Sequence, residues 1–150
     1  MPQRMSNLAA ALHEFEADVS IFLFVITVAS VTALLLGGAI LEVPLPGGLP
    51  IGNLVTACTL CAPAGAAVAL SPAKTLVRYF SLASLLAACA WLPVSIALAG
   101  NLALNFQGAR GEMWFAFTSV TFVAVYCSLA WAVIVRLVIR FRNGASTSAT

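Results

Sequence analysis

Long apolar runs alternate with short breaker-rich or polar segments along this chain. The runs cover roughly residues 20–40, 51–70, 76–99 and 113–135. Each has about the ~17–25 residues a helix needs to cross a hydrocarbon core ~30 Å thick. The pattern predicts an all-α, integral membrane four-helix bundle. Before the first run, Leu8, Leu12, Phe15 and Val19 repeat at helical spacing, with Asn7, Glu14 and Asp18 elsewhere around the axis. Residues 1–19 therefore read as a short amphipathic N-terminal helix, able to lie in the membrane interface before turning into the first span. Residues 143–150 are small and polar and read as a disordered tail.

The connections are short. Pro44, Pro46, Gly47, Gly48 and Pro50 fill the first loop, where they end one helix and set the start of the next. A proline run of this kind can also serve as a recognition segment, but this one is brief and reads as a connector. Residues 71–75 form a tight turn. Residues 100–112 are the longest connection and carry Asn101, Asn105, Gln107, Arg110 and Glu112. Pro63 and Pro93 fall inside the second and third runs, where each removes a backbone donor and can kink its helix.

Composition narrows the class. Of 150 residues, 62% are hydrophobic and 8% charged, and mean hydropathy is +1.05. Soluble domains carry about 25% charged residues, so a water-soluble fold is excluded. Four spans use most of the chain and leave no stretch for a separate catalytic domain. A net charge of +2 gives no footprint for nucleic acid. Glu14, Glu16 and Asp18 precede the first run where a signal peptide would have basic residues, so that run reads as a retained span.

Charge also predicts orientation. With four spans, both termini and the second loop share one side, which holds Arg4, Lys74, Arg78, Arg136, Arg140 and Arg142; the other side holds Arg110. The asymmetry predicts cytoplasmic termini, in a plasma or bacterial inner membrane. Lys74, Arg78, Trp114, Arg136, Arg140 and Arg142 are the candidate membrane-surface anchors. The last three also suit a helix C-terminus and an anionic leaflet.

Helices in lipid associate through small residues that let backbones approach. Ala29, Ala33 and Gly37 repeat every four residues on the first span, and Ala57, Cys61, Gly65 and Ala69 do so on the second. These are the candidate helix-packing interface, either within the bundle or against a partner helix. The fourth span is bulkier, with Phe115, Phe117, Phe122, Tyr126 and Trp131.

Catalytic chemistry is sparse. Cys58 and Cys61 form a C-x-x-C pair, the spacing of dithiol redox motifs. A four-span chain with such a pair near its second helix resembles the quinone-linked disulfide-generating membrane proteins. Two departures count against that function. The pair lies about 12–16 Å into the span at ~1.5 Å per residue, and the third loop has no cysteine. A thiol in hydrocarbon is a poor nucleophile, so Cys58, Cys61, Cys89 and Cys127 read as small packing residues. His13 is the lone histidine and lies in the leader, so no haem or metal ligand set is present and no cofactor is implied. Apart from Arg78 near the start of the third run, the charged residues that mark proton and ion pathways are missing from the spans. Asn53 and the span hydroxyls, among them Thr27, Ser30, Thr59, Ser84 and Ser95, read as interhelical hydrogen-bonding groups.

These features favour a non-catalytic accessory or structural subunit, with the bilayer and other transmembrane helices as partners, in a hetero-complex or homo-oligomer. The alternatives are a small homo-oligomeric channel or carrier for a neutral or lipophilic solute and, behind it, a membrane thiol oxidoreductase.

Overall fold

A computed structural model describes the backbone of residues 2–147 and the side chains of residues 18–142. The described chain is all-helical. Helix α1 spans Pro2–Leu36, α2 Ile51–Leu70, α3 Leu76–Ala99 and α4 Ala109–Thr147. All four are long and apolar enough to cross a membrane. The second and third match the residues expected from the apolar runs. The first ends earlier, at Leu36, because Gly38 takes a left-handed backbone (φ +46°) after Gly37 and leads into a 3₁₀ turn over Gly38–Glu42. The backbone of α1 runs on from the leader without the turn that an interfacial helix would need. The side chains that define the leader's two faces, and His13 among them, lie outside the described residues. Helix α4 runs on through residues 143–147, where a disordered tail was expected; the side chains there, and residues 148–150 altogether, also lie outside the described residues.

Helix α2 is the hub, in contact with α1, α3 and α4, and α3 also packs on α4. Among the described residues, the backbone of α1 comes close to that of α2 and of no other long helix, so α1 flanks a three-helix core. That core centres on Leu60, Ala64, Ala88, Trp91 and Val125, with a second cluster of Ala67, Val77 and Ala132 toward the end where the termini lie. The buried positions of α3 are Val77, Ser81, Ser84, Ala88, Trp91 and Ser95. Their steps of four and three residues give the 3.5-residue repeat of left-handed helix packing. On α4, Thr121, Val125, Ser128 and Ala132 continue the same rhythm. Small side chains in these seams let the helices approach closely.

The loops close on themselves. In the first, Leu45 N–H donates to Leu49 C=O and Ile51 N–H to Val43 C=O, with Gly47 and Gly48 at positive φ, so the segment is a compact hairpin-like connector. In the second, Thr75 caps α3 by accepting from Arg78 N–H, and Lys74 takes a left-handed conformation at φ +59°. Gly100 ends α3 in the left-handed region.

Candidate helix-packing site

Some of the described polar side chains join helices, while others, such as Thr56, Thr59 and Ser128, bond back to their own helix. Trp91 of α3 donates from Nε1 to Thr118 Oγ1 of α4 at 3.0 Å, and Trp114 of α4 donates to Ser95 Oγ of α3 at 2.9 Å. The two bonds run in opposite directions between antiparallel helices, so together they set the register of the pair. The rings lie 6.5 Å apart, and Phe106 of the loop stacks on Trp114 at 4.7 Å. Lower down, Ser84 Oγ donates to Ala124 C=O at 3.2 Å. At the turn, the hydroxyls of Ser71 and Ser81 share a hydrogen bond, and Arg78 Nη1 donates to the carbonyls of Val68 and Ser71. The guanidinium thereby adds a donor at the C-terminal carbonyls of α2, where Val68 C=O also accepts from Ser71 N–H. Asn53 Nδ2 reaches the Leu102 carbonyl and ties the start of α2 to the third loop.

One contact explains a buried proline. Pro63 has no N–H, so the carbonyl four residues back, that of Thr59, loses its helical partner. Tyr126 of α4 donates its hydroxyl to that carbonyl at 3.2 Å. An interhelical bond thus replaces an intrahelical one, and it couples the break in α2 to the position of α4.

Several expected site residues take different places. Among the described residues of α1, Thr27 and Ser30 are buried, Ala33 is half-buried and Ala29 is exposed; Gly37, just past its end, is half-buried. The seam with α2 therefore runs round the helix from the small-residue stripe and uses hydroxyls, which bond back to their own helix through the carbonyls of Leu23 and Ile26. On α2, Ala57 and Cys61 pack against the core cluster, and Ala69 is half-buried. Gly65 meets α1, where an added Cβ would lie 3.4 Å from Leu23 Cδ1. Trp114 is drawn into the α3–α4 seam, because its indole N–H finds Ser95 there. Lys74 and Arg140 are exposed at the end that carries the termini, as is Arg142, whereas Arg78 and Arg136 are half-buried. The Trp91 and Tyr126 roles were not foreseen. The 4-3 rhythm of small and hydroxyl residues on α3 was the available signal for the seam.

Two apolar grooves open on the flanks. One, of about 290 Å³, lies between α1 and α4 over Thr59 and is walled by Val31, Leu34, Leu35, Phe122 and Tyr126. The other, of about 430 Å³, is lined by Phe80, Ser119, Val120, Val123, Ala124 and Cys127. A polar hollow of about 480 Å³ sits in the third loop among Asn101, Asn105, Gln107 and Arg110. Among the described residues, no group of three His, Cys, Asp or Glu could hold a metal ion, and every buried side-chain N or O has a partner. No protein-family model matches the chain, and no similar curated protein or solved structure was found.

Proposed function

We propose that the protein is a multi-pass membrane protein with cytoplasmic termini that acts as a non-catalytic accessory or structural subunit, holding a partner helix against the outer flank of α1. The supporting observation is the lopsided packing of α1. Among the described residues it leans on α2 and leaves Ile21, Phe22, Phe24 and Val25 57–64% exposed, with the small Ala29 beside them. A small residue on an exposed apolar face gives a second helix a place for close approach. The basic end of the bundle, with Lys74, Arg78, Arg136, Arg140 and Arg142, supports its assignment to the cytoplasmic side.

The test is capture of the tagged protein from its native membrane in mild detergent, with native mass analysis of the assembly. A partner held at fixed stoichiometry by the native chain, lost on Ala29→Phe and kept on Leu86→Phe, is the expected result. Leu86 is exposed on α3 and serves as the control face. Phenylalanine keeps the span apolar but fills the space over Ala29. A stable monomer, or a partner indifferent to Ala29→Phe, refutes the reading. A pure homo-oligomer shifts the weight to a channel or carrier.

A further inference from the structure

Cys61 on α2 and Cys89 on α3 bring their sulfurs to 4.0 Å, near van der Waals contact. Both thiols are free; Cys89 is exposed on the bundle surface and Cys61 is half-buried beside it. The motif partner of Cys61, Cys58, is worse placed. Residues three apart on a regular helix have Cβ atoms ~5–6 Å apart, whereas a disulfide needs ~3.5–4.5 Å. Closing Cys58 to Cys61 would therefore require unwinding α2, while Cys61 and Cys89 lie across a helix seam that small residues already hold close. Cys89 faces the surface that the apolar helices turn toward lipid, so oxidants that reach it are lipid-soluble.

We propose that Cys61 and Cys89 form a dithiol site for lipid hydroperoxides, closing to a disulfide that staples α2 to α3; this rests on the reading that the helices lie in a membrane. Cys89 sulfur attacks the terminal oxygen of the hydroperoxide. The O–O bond breaks, an S–O bond forms, and the thiol proton goes to the departing lipid alkoxide, which leaves as a lipid alcohol. Cys61 sulfur then displaces hydroxide from the Cys89 sulfenic acid; the S–S bond forms and water leaves with the Cys61 proton. The two thiols give up two electrons in all, and the peroxide bond accepts them. A thiol in apolar surroundings is a sluggish nucleophile, so the site relies on proximity for its second step. The product fixes the α2–α3 seam covalently.

The test places the full chain in vesicles of phosphatidylcholine containing its hydroperoxide, and maps linked peptides by mass spectrometry. A Cys61–Cys89 link is expected in the native chain and in Cys58→Ser, with none in vesicles of unoxidised lipid. Cys89→Ala is expected to leave Cys61 reduced, and Cys61→Ser to leave Cys89 as a trappable sulfenic acid. Copper-phenanthroline supplies the control for mere proximity. A Cys61–Cys89 link with copper-phenanthroline but not with hydroperoxide overturns the proposal, because the sulfurs are then neighbours without peroxide chemistry. A Cys58–Cys61 link, or no link under either oxidant, overturns it as well.

Discussion

Replacing Tyr126 with phenylalanine removes one hydroxyl and keeps the ring that packs on Phe122 at 4.5 Å. The hydroxyl is the donor to the Thr59 carbonyl that Pro63 leaves without a helical partner. An interhelical hydrogen bond inside a membrane averages ~0.6 kcal/mol and reaches ~1.7. Here the loss falls toward the upper value, since Thr59 is buried and its carbonyl would be left unpaired in apolar surroundings. The expected cost of Tyr126→Phe is therefore about 1–1.5 kcal/mol, roughly a tenfold shift in the folding equilibrium. Pro63→Ala restores an N–H four residues after Thr59 and returns the carbonyl to its helix. In that background Tyr126→Phe should cost less than about 0.5 kcal/mol, so the double-mutant cycle should show a coupling of about 1 kcal/mol. Reversible unfolding in mixed micelles, followed by the tryptophan signal, measures all four corners. Equal costs of Tyr126→Phe in both backgrounds would refute the claim that the tyrosine compensates the proline.

Other substitutions test separate parts of the packing. Gly37→Ala should destabilise by about 1–3 kcal/mol through overpacking, since an added Cβ presses on the Ala33 carbonyl and comes within 2.8 Å of Leu41 Cγ; thermal melting in detergent reads this. Lys74→Gly should stabilise by about 0.5–1 kcal/mol, because the left-handed backbone at φ +59° is costly for a residue with a Cβ; the same melt shows the opposite shift. Trp114→Phe keeps an aromatic ring but leaves Ser95 Oγ without its donor at the α3–α4 seam, and should cost about 0.6–1.7 kcal/mol. Arg78→Ala should cost about 1 kcal/mol, because it strips the Val68 and Ser71 carbonyls of their guanidinium partner while solvent at this half-exposed position weakens the loss.

The long helices were legible because length and apolarity fix them, and Pro50, Thr75 and Gly100 mark their ends. The second and third helices fall on the expected residues for that reason. The inward faces were harder to read. A helix surrounded by lipid is apolar on every side, so hydropathy does not separate the face turned to a neighbour from the face turned outward. The expectation for α1 settled on Ala29, Ala33 and Gly37, while the α2 seam lies along Thr27 and Ser30. Trp114 illustrates a second limit. A tryptophan near a span end fits an interfacial anchor equally well, and only the position of Ser95 on the neighbouring helix draws it inward. Tyr126 depends on a contact 67 residues away in sequence, and no local pattern encodes such a pairing. The cations were simpler, since the grouping of all but Arg110 at the end of the termini follows from chain order alone.

The proposed role turns on whether another polypeptide covers the exposed flank of α1. The most direct measurement is photo-crosslinking in native membranes from a benzophenone amino acid at Phe24, compared with the same probe at Leu86. A covered flank gives a discrete protein adduct from Phe24 and lipid adducts from Leu86. Lipid adducts alone from both positions would contradict it.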